Sequence, residues 1–398
     1  MTISAPGHLT SPGTAAVAEA VRAAADRGEP LRIEGAGKWL DAGWPVTGTT
    51  PLSLADDAGI VEYTPGDLTL TARAGTPLDE IARVTAAERQ WLALDPIGPA
   101  GSTLGATIAT ASAGPLARAF GTPRDNVLGL EAVTGDGQTV RTGGRVVKNV
   151  AGFDLTRLFT GSWGTLAVLT EVTVRLRALP ETEESWAIPV EEAPEPLDAL
   201  LSRLRLAPIE PLALELVDPA LASLLGISSG SGAALLVRLG GNEENVRSQR
   251  EYLQNVAEPL AAPAGVWEAL RACDPSHPSV PVATARFSAA PSRMAHTWNA
   301  ARAAAGSSPK ALVHATVSRG VARCIVQGDE GSGDRLVAAA ARFAGTAIFE
   351  RLPAELWPRT RSDNATGESG TARLARGVKR RFDPANVLNS GIMGEQDG

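Results

Sequence analysis

An α+β fold in two units is what this sequence predicts, and three observations carry that expectation. Helical and strand patterns mix through the first 180 residues without the regular strand–helix–strand repeat of a doubly wound sheet. After Leu179 and Pro180 the composition shifts, and Glu181–Pro196 is acidic and proline-bearing, as an interdomain connector is. Residues 197–350 then hold helix-like and strand-like stretches of their own. A chain of 398 residues with 44% hydrophobic content is long enough for two cores.

The elements follow in order. Residues 12–27 are alanine-rich with an apolar face and stop at Gly28, which predicts a helix. Leu31–Glu34 is a short strand running into Gly35-Ala36-Gly37-Lys38. Strands follow near Leu52–Leu54 and Gly59–Tyr63, and Asp67–Ala74 alternates with the period of two that a half-buried strand shows. Thr76-Pro77 opens a helix, with Asp79 and Glu80 placed where the helix dipole favours acids. Trp91–Leu94 reads as a strand. Asp95–Gly101 is a Pro/Gly loop, and Ser102–Ser112 is a helix of small residues with Ser102 at its N-cap. Val127–Val133 and Gln138–Thr142 flank Gly135-Asp136-Gly137, the signal of a hairpin. In the second block Leu197–Leu206 and Glu243–Val256 read as helices. Leu212–Val217, Ala233–Leu239, Leu312–Val317 and Ala322–Gln327 read as strands. Residues 372–381 form a basic helix that runs into Phe382-Asp383-Pro384 and on to Asn389-Ser390-Gly391.

Composition narrows the function classes. The net charge of −7 offers no basic surplus for nucleic acid. No run of about 18 apolar residues exists to span a membrane. Met1–Gly7 lacks a basic start and an apolar stretch, so it does not read as a secretory signal. Cys273 and Cys324 form no C-x-x-C pair, which argues against an iron–sulfur or zinc site and suits a reducing cytoplasm. The four histidines, His8, His277, His296 and His314, stand in no paired metal pattern.

Several strings carry chemistry. Gly35-Ala36-Gly37-Lys38 follows a strand; glycines there let main-chain N–H groups approach a diphosphate, although a plain tight turn reads the same. It is not a full G-x-G-x-x-G, so a nicotinamide fingerprint is not supported. Pro99 to Ala109 suits a helix start holding an anion through Ser102, Thr103, Gly105, Ala106 and Ala109. The bland alternative is tight helix packing through Gly105, Ala106 and Ala109. Gly114, Arg124 and Asp125 form a third group, in which the charged residues read equally as a surface pair. The most informative string runs from Arg145 to Leu176. Asp154 caps a helix, Gly161 ends it, and Gly164-Thr165-Leu166-Ala167-Val168 leads into a buried strand. Lys148 is either a surface charge or compensation for a ligand's negative charge.

The order and spacing of these strings resembles the FAD-linked oxidases of the vanillyl-alcohol oxidase/PCMH superfamily, and within it the FAD-binding subunits of bacterial glycolate oxidases. The resemblance rests on Lys148-Asn149-Val150-Ala151-Gly152-Phe153-Asp154-Leu155 and Gly161-Ser162-Trp163-Gly164-Thr165-Leu166. It covers residues 30 to 180, with an echo at Phe382-Asp383-Pro384 through Gly391. Ala106 stands where the family pattern has a second glycine, and Ser390 where its tail has proline.

The resemblance implies a PCMH-type FAD-binding domain over 1–180, an α+β cap over 197–350, and a tail over 372–391 that returns to the FAD domain. It implies FAD as cofactor. Gly35–Lys38 becomes the first pyrophosphate loop and Pro99–Ala109, with Ser102, Thr103, Gly105 and Ala106, the second. Gly114, Arg124 and Asp125 lie near the ribityl chain and ring edge, and Lys148 beside the flavin. Gly161, Gly164, Thr165, Leu166 and Val168 lie along the adenine or isoalloxazine, and Asn389 near the ring. With no histidine in Gly35–Lys38, the FAD is expected to be non-covalent. The implied function is oxidation of a 2-hydroxy acid, glycolate, to glyoxylate. The implied partners are a sister FAD-linked catalytic subunit and an iron–sulfur subunit, through which the chain could sit at a membrane surface. Two other readings stay open: an assembly subunit with structural FAD, and a stand-alone flavin enzyme acting on another substrate. No catalytic base is visible, since hydride transfer from a hydroxyl-bearing carbon needs a proton acceptor of suitable pKa. His314 and Arg286 are the only loose candidates in the second block, and His314 in an apolar strand reads equally as a core histidine.

Overall fold

A computed structural model gives the architecture and describes residues 9–10, 13–144, 154–191, 194–230, 232–273, 282–308, 310–327, 331–360 and 370–394. The chain divides into two units. One comprises residues 1–113, 121–179 and 362–398; the other comprises 114–120 and 180–361.

The first unit is built on two sheets. A small parallel sheet has the order Leu9–Thr10, Thr50–Ser53, Leu31–Glu34. A five-stranded antiparallel sheet has the order Ile60–Thr64, Thr69–Arg73, Ala167–Arg175, Val127–Thr134, Thr139–Gly143. The Val127–Thr134 and Thr139–Gly143 strands form the expected hairpin, with Gly137 at φ +74° in its turn. Helix Thr14–Arg27 ends on Gly28 in the left-handed conformation; the Gly28 N–H caps the Ala25 carbonyl and the Glu29 N–H the Ala24 carbonyl. Helix Leu78–Ala86 starts directly after Pro77 and carries Asp79 and Glu80 in its first turn. Val17, Val21, Leu31, Leu52, Leu70, Ile108, Phe159 and Val174 share one core, and Val387 and Leu388 from the chain's far end join it.

The second unit carries an eight-stranded antiparallel sheet. Its order is Leu260–Ala261, Thr182–Val190, Ala233–Gly241, Ala213–Val217, Leu312–Thr316, Val321–Gln327, Val282–Ser288, Thr346–Arg351. Helices Met294–Ala305 and Ser332–Arg342 pack against it, burying Trp298 and Leu336.

Two local expectations need correction. Thr182–Val190 is not a connector: it is a nine-residue strand paired along its whole length with Ala233–Gly241. Its acids misled because they are paired within the unit: Glu183 with Arg238 on the neighbouring strand and Glu184 with Arg250 of helix Glu243–Val256. Pro189 is tolerated because on its other side the strand meets only Leu260–Ala261, which pair with Trp186 and Ala187. Near residue 91 only Gln90–Trp91 is strand, paired with Arg177–Ala178, and the residues after Trp91 are irregular.

Candidate functional site

In the first unit one cleft gathers sequence-distant turns. Its walls come from the end of strand Leu31–Glu34 with the following turn, helix Leu104–Thr110, the Trp163–Gly164 turn with strand Ala167–Arg175, and the tail at Asn389 and Ile392. The space between these walls, counting its solvent-open mouth, is about 720 Å³.

The residues make this shape for local reasons. Gly37 takes φ +72°, which turns the chain away from strand Leu31–Glu34. Gly35 lies against the helix start: a Cβ there would stand 2.5 Å from Thr103 Oγ1. Helix Leu104–Thr110 is capped by Thr103, whose hydroxyl accepts from Ala106 N at 3.3 Å. Gly105 is where this helix meets the end of strand Thr69–Arg73; a Cβ would come within 2.6 Å of Ala74 Cβ. The next wall is laced to the same helix, with Gly161 N donating to Ile108 O at 3.0 Å and Trp163 N to Ala109 O at 2.8 Å. Trp163 (φ +56°) and Gly164 (φ +68°) both hold left-handed backbone there. Trp39 meets Trp163 edge to face, with ring centroids 5.7 Å apart.

The tail closes the last side. Asn389 is buried, with its Oδ1 accepting from Ile33 N at 2.8 Å and its Nδ2 donating to Trp163 O at 2.7 Å. Its own N–H reaches Leu31 O at 3.1 Å. One side chain therefore ties the first strand to the Trp163 turn. Lys379 sits behind it and donates to Thr165 O (2.9 Å), Leu388 O (3.0 Å) and Asp383 Oδ2 (2.6 Å). Asp383 in turn accepts from the N–H groups of Val387 and Leu388. The ammonium has three protons and three acceptors.

Of the residues singled out from sequence, Gly35, Gly37, Lys38, Thr103, Gly105, Ala106, Ala109, Gly164 and Asn389 line this cleft together. Others lie elsewhere. Ala36 is exposed on the outside of its turn. Pro99 and Ser102 are off the cleft wall, and Ser102 gives its carbonyl to Leu78 N. The helix N-cap is Thr103, not Ser102, because Thr103 is the residue whose hydroxyl reaches back to the first turn. The N–H groups of Leu104, Gly105 and Ala106 are not open to an anion: they serve Thr76 O, Ala74 O and Thr103 Oγ1. Gly114 falls in the other unit. Asp125 is a structural cap that accepts from Thr122 N and Oγ1, and Arg124 is held to Thr160 O. Gly161 supports the turn without facing the cleft. Thr165 spends its hydroxyl on Ser162 O and its carbonyl on Lys379. Leu166 and Val168 are buried off the cleft wall, whereas Ala167 and Leu169 line it, by the alternation of a strand. Lys148 lies outside the described residues.

Sequence reading missed Arg32. It lines the cleft, its Nη2 donates to Trp39 O and Leu40 O, and its buried Nη1 has no hydrogen-bond partner among the described residues. Burial pulls its guanidinium below the ordinary arginine value, while Glu34 and Asp41 work to hold the charge. Alternation along Leu31–Glu34 was the signal that could have exposed it. A cation with an unspent donor beside a close-packed glycine turn fits the diphosphate of a dinucleotide, and the two tryptophans offer flat faces to its rings.

The comparisons agree with this geometry. Residues 11–143 match a family model described as an FAD binding domain. The chain is 36% identical to glycolate oxidase subunit GlcE of Escherichia coli over 60% of its own length and 63% of the relative's. It is 32% identical to glycolate oxidase subunit GlcD of Bacillus subtilis over 58% of its length and 50% of that protein. The matched region thus covers less than two thirds of either relative. In fold it is similar to a solved alkyldihydroxyacetonephosphate synthase, with TM-score 0.69 and 16% identity over 96% of this chain and 75% of that one. Residues 11–143 thus carry an FAD binding domain, and the chain is similar to glycolate oxidase subunits over about three fifths of its length.

Proposed function

We propose that this chain is the FAD-binding subunit of a glycolate oxidase or dehydrogenase complex, acting in oxidation of a 2-hydroxy acid and passing electrons to partner subunits. The observation that supports the reading most is the single cleft uniting Gly35–Lys38, helix Leu104–Thr110, Gly164 and the tail. Similarity to the Escherichia coli and Bacillus subtilis glycolate oxidase subunits supports the substrate and the complex. FAD would supply the hydride acceptor.

In this reading the chain's own residues bind and orient. Arg32 and Lys38 balance the diphosphate charge, and the Gly35–Gly37 main chain approaches it without Cβ atoms in the way. Ala106, Ala109, Ala167 and Leu169 give an apolar wall for a ring. Asn389 fixes the spacing between two walls, which keeps water from the buried side. The FAD is held without a covalent bond. A sister FAD-linked subunit and an iron–sulfur subunit complete the complex in the cytoplasm. Among the described residues no helix is long and apolar enough to cross a membrane, so any membrane attachment would run through those partners.

Purified chain gives the test. A visible flavin spectrum that bleaches with glycolate only once the partner subunits are added supports the proposal. A colourless chain overturns it. Bleaching of the isolated chain by glycolate overturns the electron-passing role and leaves a free-standing oxidase.

A further inference from the structure

Helix Gly370–Phe382 is almost bare. Ten of its thirteen residues are exposed and none is buried. Only its last turns are anchored, Val378 and Phe382 against the core and Lys379 through its three hydrogen bonds. The helix carries Arg373, Arg376, Lys379, Arg380 and Arg381 and no acid. These five cations stand in a chain of net charge −7, so the remainder carries −12.

Arg373, Gly377 and Arg380 lie along one stripe, since residues three, four and seven apart share a helix face. Arg373 and Arg380 have no carboxylate partner among the described residues, and Arg376 beside them is already engaged within the chain. Gly377 is open: a Cβ built there meets nothing within 4 Å. Locally the stripe works against the helix. Like charges three and four apart repel, and glycine is a poor residue for a helix interior. Helices are held mainly by packing of an apolar face, and the exposed turns gain little of that from the chain's own core.

We propose that this stripe docks an acidic helix of a partner subunit. Carboxylates seven residues apart on that helix meet Arg373 and Arg380, and its backbone comes close over Gly377, where no side chain stands in the way. Extended polyanions fit less well. A bilayer or a nucleic acid would also face the surrounding surface, and the rest of the chain carries −12. A membrane-lying helix presents a broad, bulky apolar face, whereas Leu374, at 69%, is the only large apolar residue this helix exposes. A short acidic helix touches the cations alone. The inference rests on the proposed function only for the existence of a partner subunit.

Fluorescence anisotropy of labelled, alanine-based helical peptides titrated with the full-length chain, at about 150 mM salt, tests it. One peptide carries glutamates seven residues apart; the other carries the same number five apart, on different faces. The first should bind about fivefold more tightly, the worth of one exposed ion pair. Arg373→Glu and Arg380→Glu should each weaken it about tenfold, since each loses an attraction and adds a repulsion. Gly377→Gln keeps the charge and improves helix propensity, so it should weaken the peptide by a similar factor while the thermal midpoint does not fall. Equal binding of the two peptides, binding of neither, or undiminished binding by Gly377→Gln overturns the assignment. So does tighter binding to phosphatidylserine vesicles or to duplex DNA than to the peptide. If a charge-reversed chain does not fold, the peptide ratio and Gly377→Gln still decide. Flavin absorbance of the same samples separates the two ideas. A colourless chain that prefers the first peptide refutes the cofactor reading alone, and a yellow chain that treats the peptides alike refutes this surface alone.

Discussion

Replacing Asn389 by alanine removes two buried hydrogen bonds in one step. The partners left behind are Ile33 N–H and Trp163 C=O, which the amide meets at 2.8 and 2.7 Å. Each buried group left unpaired costs roughly 1–3 kcal/mol. Asn389 also holds φ +42°, a left-handed conformation that asparagine tolerates and alanine resists by about 1 kcal/mol. The expected loss is therefore about 4 kcal/mol. Urea unfolding followed by tryptophan fluorescence measures it, since Trp39 and Trp163 both belong to the affected region. Asn389→Gly isolates the backbone share: it loses the same hydrogen bonds without the steric penalty, so it should be milder by about 1 kcal/mol. Flavin retained per chain after gel filtration should fall in both variants. A loss below about 1 kcal/mol for Asn389→Ala, with flavin content unchanged, would refute the role of Asn389 as the tie between the cleft walls.

Other expectations rest on the same structure. Lys379→Met strands the buried carboxylate of Asp383 and frees two carbonyls, so thermal melting should show a loss of about 3–5 kcal/mol. Gly35→Ala places a methyl 2.5 Å from Thr103 Oγ1, and flavin content should drop while the second unit's melting is unchanged. Glu350 has a folded-state pKa below its unfolded one, held there by the arginines against the opposing effect of burial. Its stabilisation is present above about pH 4.3 and is lost as pH falls through the lower folded value. Urea midpoints measured from pH 7 down to pH 3 should show that acid-side fall, and Glu350→Gln should be destabilised at neutral pH and lack this contribution to it. Burial pushes the Cys324 thiol up to about 12, so a thiol reagent at pH 8 should reach it only when the chain unfolds.

Much of the framework is written in local chemistry. Pro77 with its two acids, Gly28, Asp154 as a cap and the Gly135–Gly137 turn all specify backbone conformation within a few residues, and each lies where its chemistry places it. The glycine turn, the small-residue helix and the tail asparagine were also legible as site candidates. Other features depend on partners far along the chain. Whether helix Leu104–Thr110 offers its amides depends on Ala74 and Thr76, which take them. Whether Leu166 or Ala167 faces the cleft is a matter of strand register, which residues 164–168 do not state. The acids of Thr182–Val190 stand on a strand, one on each face, and only the pairing with Ala233–Gly241 says so.

The return of the tail sets an order of events in the life of the molecule. Ile33 and Asn389 stand 356 positions apart, yet they share a wall of the cleft. A ribosome making this chain exposes Ile33, beside the glycine turn, 356 positions before the residue that braces it. The wall they share therefore stays open until Asn389 has emerged, and loading with flavin belongs after that point.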